Sequence, residues 1–331
     1  MPLVKLANDK SFEASADASL LDAARAAGIV LEHSCRTGRC GTCKALVMSG
    51  EVRVVGDISG LSAADSLAGY ILTCTAAAVS ELHLDIEDVS LLAAFPSRTT
   101  PCRIDSIRFA AKDVVCITLR FPPNASPKYL PGQYVDVIGS GGIRRSYSVA
   151  SQPVKDGKID LHIRAVDGGA MSSYWFGSAK VGDLLRLEGP KGTFFLRDVS
   201  GLDLVFLATG TGIAPVKAML ECLATRVEPG LPKSITVLWG GRTEPDIYWS
   251  PKIDESFPFD FVPVLSRADD KWNGARGHVQ RLLLERMTDF NSAVVYACGS
   301  QAMIDSASSE LIAAGLSPKR FFSDAFVSSS T

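Results

Sequence analysis

Apolar positions along the first ninety or so residues come in short, separated bursts. An alternating stretch at 3–6 predicts a strand, an apolar stripe at 19–27 a helix, and an alternating stretch near 81–86 a closing strand. Asp17 or Ser19 stands where that helix needs a cap, and Gly28 stands where it must end. From about 102 to 198 the pattern changes to short strands with turns every 8–12 residues, predicted at 103–109, 114–121, 133–138, 145–150, 159–165 and 184–188. One helical pattern lies near 171–177, and the whole stretch reads as a small antiparallel barrel or sandwich. After about 200, strands predicted at 203–208, 235–239, 261–265, 293–298 and 320–323 alternate with helices at 216–225, 279–287 and 303–313. That alternation predicts a parallel α/β sheet.

Two prolines among small polar residues at 95–101 predict a connector. The chain is therefore read as one domain over 1–94, a linker over 95–101, a second domain over 102–199 and a third over 200–331. There is no internal repeat, and the low-complexity sequence is confined to the SSST tail. With 331 residues, 47% hydrophobic and 21% charged, the chain can bury several cores and is not a disordered one. Its 34 Lys and Arg against 36 Asp and Glu leave a net charge of −2 and no basic field for nucleic acid. Asp203, Lys217 and Gln301 interrupt the longest apolar stretches before about 18 residues, so no membrane-spanning helix is predicted. The opening residues lack a charged segment followed by an apolar one, which predicts a cytoplasmic protein.

Eight cysteines are too sparse for a disulfide scaffold, and their clustering points to metal or catalytic chemistry. Cys35, Cys40 and Cys43 follow the spacing C-x4-C-x2-C, with Cys74 further on. This is the plant-type [2Fe–2S] spacing, in which four thiolates converge on a compact, negatively charged core. Gly38 and Gly41 let the loop turn tightly and aim backbone N–H groups at the sulfides. Arg36 and Arg39 either temper the charge or form a docking rim. The competing readings are a zinc site, which usually pairs two C-x2-C knuckles where this loop has one, and plain buried thiols. Cys102, Cys116 and Cys222 lie on apolar patterns and read as core thiols.

Arg145, Tyr147 and Ser148 sit on a predicted strand after a glycine turn. A guanidinium fork suits phosphate and a phenol ring suits a flat aromatic ligand, although an exposed strand edge explains the same residues. Gly168 and Gly169 precede Met171, Ser172 and Ser173 at the start of a helical pattern, either a phosphate clamp or an ordinary helix start. Gly210, Thr211 and Gly212 follow a predicted strand and precede a helix opened by Pro215, the context of a dinucleotide site without its third glycine. Cys298 and Gly299 end another predicted parallel strand, facing a ligand crevice or simply packing the strand end. His33, His83, His162 and His278 fit no metal or triad spacing, and His162 reads as structural. Trp239 and Trp249 read as core or rim residues.

In order along the chain, these motifs, with Gly189-Pro190-x-Gly192 and Asp324-Ala325-Phe326, resemble the ferredoxin–NADP⁺ reductase superfamily. The resemblance covers essentially the whole chain and lies in the branch with an N-terminal plant-type ferredoxin. Within it RRSYSVA (144–150), LEGPKGTFF (187–195), TGTGIAPVKAM (209–219), YACGSQAMI (296–304) and FFSDAFV (321–327) look most like the CDP-6-deoxy-Δ3,4-glucoseen reductases of 3,6-dideoxyhexose biosynthesis. Reductase components of ring-hydroxylating dioxygenases share nearly all of them. Thr209 departs from the glycine of many relatives, and Ser151-Gln152 from their usual turn.

The resemblance implies a multidomain α+β and α/β chain: a β-grasp ferredoxin, an antiparallel flavin-binding barrel and a parallel α/β NAD-binding domain. It implies FAD held by Arg145, Tyr147, Ser148 and the turn at Met171, Ser172 and Ser173, with Phe326 near the flavin face. It also implies the NAD pyrophosphate on Gly210, Thr211 and Gly212, the nicotinamide flanked by Cys298 and Gly299, and the cluster on Cys35, Cys40, Cys43 and Cys74. Tyr147, Ser148, Cys298 and Phe326 are the expected catalytic set. The expected activity runs from NADH to FAD to [2Fe–2S] to a partner protein, since flavin converts a hydride into single electrons. The partner is a pyridoxamine-dependent dehydrase acting on CDP-4-keto-6-deoxyglucose, or alternatively an oxygenase; a domain that merely senses NAD is a third reading. Arg36, Arg39 and Lys44 could meet an acidic partner patch or form a solvated rim. Ser266 and Arg267 suit a 2′-phosphate, but Glu244, Asp246, Asp269 and Asp270 oppose it, so NADH is expected over NADPH.

Overall fold

The computed structural model describes residues 1–326 apart from 124, 155, 226–229 and 252–256. Val327, the last residue of the closing motif, and the SSST tail lie outside the described residues. The described chain forms two compact units, Met1–Pro96 and Ser97–Phe326.

The first unit contains β1 (Leu3–Leu6), β2 (Ser11–Glu13), α1 (Leu20–Ala26), β3 (Lys44–Ser49), β4 (Val52–Val54), α2 (Ala63–Leu67), β5 (Tyr70–Leu72), β6 (Ala76–Ala78) and β7 (Leu82–Asp85). Five strands form a sheet in the order β2-β1-β7-β3-β5, and β4 pairs with β6. β1 and β7 run parallel, so the first and last strands of this unit lie side by side. Ser19, of the two candidate caps, accepts a hydrogen bond from the Asp22 N–H. The helix buries Leu20, Leu21, Ala23 and Ala24 with Val4, Leu6, Leu31 and Leu84, the α+β core of a β-grasp module. Gly28 follows at φ +79°, the left-handed exit for which glycine is suited.

The second unit opens with β8 (Arg98–Ala111), β9 (Val114–Arg120), β10 (Tyr134–Ile138), β11 (Arg144–Ser148), β12 (Lys158–Arg164), the short helix α3 (Ala170–Ser173) and β13 (Leu184–Lys191). The order is β11-β10-β13-β8-β9-β12 with every pairing antiparallel. A bridge from Val149 to Leu161 joins the two edges, which closes the sheet into a barrel. Ile104, Ile117, Leu119, Val135, Val137, Leu161 and Leu187 fill it from alternate positions of their strands. β8 starts earlier than its apolar pattern because Arg98 and Thr99 ladder onto Gly189 and Glu188, so part of the expected connector is strand.

The rest of the second unit is β14 (Asp203–Thr209), α4 (Ile213–Leu223), β15 (Ser234–Gly241), β16 (Phe259–Leu265), β17 (Ala275–Arg276), α5 (Val279–Arg286), β18 (Ala293–Gly299), α6 (Gln301–Ala313) and β19 (Phe321–Ala325). All six strands are parallel in the order β17-β16-β15-β14-β18-β19. Both faces are covered, and the central strands β14 and β18 are buried almost throughout. Leu204, Phe206 and Ala208 pack with Ile213 and Val216 of α4, while Val205 and Leu207 pack with Leu283 of α5 and Ile304 of α6. The crossovers diverge at β14 and β18, placing a switch point at the carboxyl ends of those two strands. Among the described residues no helix is long and apolar enough to cross a membrane.

Candidate functional site

The first cluster of chemistry lies within the first unit. The loop before β3 carries Cys35, Cys40 and Cys43, and the turn between β5 and β6 carries Cys74. The sulfurs gather as two pairs. Cys43 Sγ and Cys74 Sγ are 3.2 Å apart, and the Cys35 and Cys40 N–H groups each donate to the other's sulfur at 3.4 Å. The Thr37 N–H donates to Cys35 Sγ at 3.4 Å. The Cys40 thiol first, against burial, and then the Thr37 and Cys40 donors hold the Cys35 thiol down at about 4. Cys35 acts electrostatically on Cys74, and Cys40 on Cys43, so the two pairs form one charge-coupled group. A set of thiols surrounded by N–H donors suits a thiolate-ligated cluster, and the residues fit that group.

The loop is held from outside by 56–60, a segment the thiol spacing gave no reason to single out. Gly38 (φ +78°) and Gly41 (φ +73°) turn the loop, and the Gly60 N–H donates to the Gly38 carbonyl at 2.8 Å. A Cβ on Gly38 would fall on the Asp57 carbonyl oxygen, and one on Gly41 would lie 2.8 Å from that of Gly60. The Gly56, Asp57 and Gly60 turn composition was the available signal. The basic residues nearby are ion-paired: Arg36 with Asp22 at 2.6 Å, Arg39 with Asp57 at 3.5 Å and Lys44 with Asp65 at 3.0 Å. The surface beside the loop is thus one of matched charges.

In the barrel, β11 puts Arg145 and Tyr147 two residues apart on one face, with Ser148 buried. The Tyr147 hydroxyl accepts from Trp175 Nε1 at 3.0 Å, and the two rings meet edge to face at 6.3 Å. This contact brings the segment after α3 against β11. Burial first pushes the Tyr147 phenol up to about 12, so it stays protonated at neutral pH. Met171 is buried in the barrel core rather than facing outward. Ser172 Oγ accepts from the Val166 N–H at 2.9 Å, and Ser173 Oγ donates to the Gly169 carbonyl at 3.2 Å. All three side chains are therefore engaged locally.

The switch point gathers the remaining expected residues. Gly210 to Gly212 make one tight turn between β14 and α4. Gly210 has φ +55°, and its carbonyl accepts from Trp239 Nε1 at 2.9 Å. A Cβ on Gly212 would strike the Cys298 carbonyl, so this glycine lets the loop and the end of β18 touch. Cys298 is 0% exposed, its sulfur in the core with Phe206 and Tyr296, and burial pushes its thiol far up. Gly299 (φ +136°) abuts Thr209, whose Oγ1 accepts from the Ser300 N–H at 3.0 Å. Phe326, 39% exposed, donates its N–H to the Gly299 carbonyl at 2.8 Å. Gly210, Thr211, Gly212, Cys298, Gly299 and Phe326 thus belong to one crevice rim.

Arg164, at the end of β12, was not a candidate. It bonds Asp113 at 2.7 Å and Asp246 at 2.8 Å, and its Nη1 lies 2.6 Å from where a Gly210 Cβ would be. It ties the barrel to the glycine turn. His162 is buried and meets the Tyr248 hydroxyl through Nδ1 at 3.2 Å, a structural place.

Comparison with known proteins agrees with this architecture. Residues 5–79 match the 2Fe-2S iron-sulfur cluster binding domain, 101–196 the oxidoreductase FAD-binding domain and 206–309 the oxidoreductase NAD-binding domain. The chain is 41% identical over 324 residues, 96% of each protein, to the CDP-6-deoxy-L-threo-D-glycero-4-hexulose-3-dehydrase reductase of Yersinia pseudotuberculosis. It is 32% identical over 317 residues to the xylene/toluene monooxygenase electron transfer component of Pseudomonas putida, covering 93% of this chain and 88% of that one. The crystal structure of an Amycolatopsis cytochrome P450 reductase matches at TM-score 0.71 and 26% identity, with 100% of both chains covered. The chain therefore belongs to the ferredoxin–NADP⁺ reductase superfamily, in the branch that joins an N-terminal [2Fe–2S] ferredoxin to FAD- and NAD-binding domains, and is an NAD(P)H-dependent electron-transfer oxidoreductase.

Proposed function

We propose that this reductase takes electrons from NADH and delivers them to a 3-dehydrase acting on a CDP-6-deoxy-4-hexulose, as a cytoplasmic protein with domains over 1–94, 102–199 and 200–331. The observation that carries this reading is 41% identity over 96% of both chains to a reductase named for that dehydrase. When bound, FAD and the cluster supply the conversion of a two-electron donor into single electrons.

The chain's own residues hold and orient. Cys35, Cys40, Cys43 and Cys74 are the cluster ligands, with the N–H groups of Cys35, Thr37 and Cys40 countering thiolate charge. Arg145 serves the flavin phosphates, and Tyr147 and Ser148 orient the ring. Tyr147 acts by contact and hydrogen bonding, since its phenol keeps its proton and its oxygen is fixed by Trp175. The turn at Met171, Ser172 and Ser173 contributes its main chain, because its side chains are engaged elsewhere. Gly210, Thr211 and Gly212 receive the dinucleotide pyrophosphate at the start of α4. Cys298 and Gly299 border the nicotinamide with backbone, and Phe326 covers the flavin side of the rim. The acidic Glu244, Asp269 and Asp270 disfavour a 2′-phosphate, hence NADH, while Asp246 is paired with Arg164.

The identity to a monooxygenase electron transfer component favours a second reading, delivery to an oxygenase. The deciding experiment gives NADH and the purified protein to each acceptor. With the dehydrase, loss of the 3-hydroxyl from the CDP-sugar is expected. Oxygen-dependent hydroxylation by an oxygenase, with no turnover of the CDP-sugar, would overturn the proposal.

A further inference from the structure

Among the described residues four buried side-chain polar atoms lack a hydrogen-bond partner: Thr42 Oγ1, Thr75 Oγ1, Gln280 Oε1 and Gln301 Oε1. Both hydroxyls in this group adjoin cluster cysteines. Thr42 immediately precedes Cys43, and Thr75 immediately follows Cys74. An unpaired buried hydroxyl is costly, so two beside one site call for a physical reason.

Thr75 is the more constrained of the two. It is 5% exposed. Its N–H donates to the Leu72 carbonyl, and its own carbonyl accepts from the Val55 N–H at 2.8 Å. Its methyl group is wedged beside Gly38 and Gly56, where added Cβ atoms would lie 3.1 and 2.9 Å from it. With backbone and methyl both held by neighbouring chain, the hydroxyl is fixed in a buried place without a protein partner. Thr42 and Thr75 thus each carry a buried, unpaired hydroxyl on a residue next in sequence to a cluster cysteine.

We infer that the Thr75 hydroxyl, seconded by that of Thr42, is a hydrogen-bond donor kept for the sulfur of the bound cluster, and that it raises the cluster's affinity for an electron. This rests on the reading that the four cysteines hold a [2Fe–2S] cluster. A thiol sulfur is a weak acceptor, whereas a metal-bound thiolate carries charge and is a stronger one. Reduction adds negative charge to the site, so a donor there stabilises the reduced form more than the oxidised one.

The test is a redox titration of the cluster EPR signal in full-length wild-type, T75V, T75S and T42V proteins, with visible absorption to measure cluster content. T75V keeps the wedged shape and loses the donor, and T75S keeps the donor. At fixed ambient potential T75V is expected to shift the reduction equilibrium toward the oxidised form about three- to tenfold, tenfold being 59 mV for a one-electron couple. T75S is expected to stay within about twofold of wild type, and T42V to shift in the T75V direction. A T75V protein with full cluster content and an equilibrium within twofold of wild type overturns the inference. So does a T75S shift as large as that of T75V, which would assign the effect to packing. Should T75V hold no cluster, T42V decides, and an equilibrium within twofold there overturns the inference as well. A wild-type protein without the cluster spectrum would instead overturn the ligand reading beneath it.

Discussion

Gly212→Ala isolates a steric demand where the glycine turn meets the end of β18. Gly212 has φ −59° and ψ −13°, helical backbone that alanine adopts readily, so the substitution carries no conformational penalty of its own. The obstacle is contact. The added Cβ would fall on the Cys298 carbonyl oxygen, 2.7 Å from its carbon and 3.0 Å from Gly299 Cα. These atoms belong to the end of β18, which is laddered to β14 on one side and β19 on the other. Comfortable carbon contacts need about 3.5–4.0 Å, so loop and strand must part by about 1 Å. No flexible side chain can give way, which puts the cost near the upper end of the usual overpacking range, about 3 kcal/mol. For a unit of this size that is a fall of about 6–12 °C in Tm. Gly210→Ala makes the contrast: its Cβ would meet Arg164 Nη1, the end of a flexible side chain, at 2.6 Å. Its φ of +55° adds about 1–2 kcal/mol, a fall of about 2–8 °C. Because the displaced strand end carries Cys298 and Gly299, Gly212→Ala is also expected to raise the KM for NADH at least about tenfold, misplacement of 1 Å being worth up to about a hundredfold. Calorimetry and steady-state reduction of an artificial one-electron acceptor measure both effects. A Gly212→Ala protein within 2 °C of wild type, with its KM within twofold, would refute the reasoning.

Three further outcomes concern single side chains of the second unit. Burial, with Lys217 and Arg108 adding, pushes the His162 imidazole down to about 3, so the folded unit holds it neutral while the unfolded chain protonates near 6.5. Its stability is present above pH 6.5 and falls as pH drops toward 3, by about 2 kcal/mol at pH 5; urea titrations should show a shallower acid loss in His162→Gln, and an identical loss contradicts the assignment. Tyr147→Phe strands the buried Trp175 N–H, with an expected loss of about 1–3 kcal/mol, and a double-mutant cycle with Trp175→Phe that yields no coupling would sink the claim. Arg267 is exposed, and Arg267→Ala should leave NADH turnover within about twofold, whereas a loss above tenfold in a folded protein counts against the NADH preference.

How much of this was legible in the sequence follows from the range of each interaction. The Ser19 cap, the strand–glycine turn–helix at β14 and α4, and the thiol spacing are local, and local patterns announce them. The early start of β8 was hidden because Pro101 and its threonine neighbours read as a connector. Main-chain pairing with β13 decides their structure. Arg164 was hidden because its carboxylate partners lie 51 and 82 residues away. Met171 was assigned to a phosphate turn because α3 is one turn long and offers no periodicity to reveal that the side chain enters the core. The Cys298 sulfur was ambiguous for a related reason. In a parallel sheet covered on both faces, alternation distinguishes no solvent side.

The glycines of the cysteine loop and of the turn between β14 and α4 have protein within reach of the missing Cβ. Asp57 occupies that place at Gly38, Gly60 at Gly41, Arg164 at Gly210 and the Cys298 carbonyl at Gly212. Each loop is therefore set in shape by neighbouring chain, and the donors it carries are held in place independently of any bound group. That is the condition for preorganised recognition, in which binding need not also order the loop. It also links two properties that sequence motifs treat separately. A substitution at any of these positions disturbs packing before it disturbs ligand contact, so lost stability and lost cofactor content must appear together. Added cofactor should in turn raise Tm by mass action in the wild-type protein, and by less wherever the loop has been pushed from its packed position.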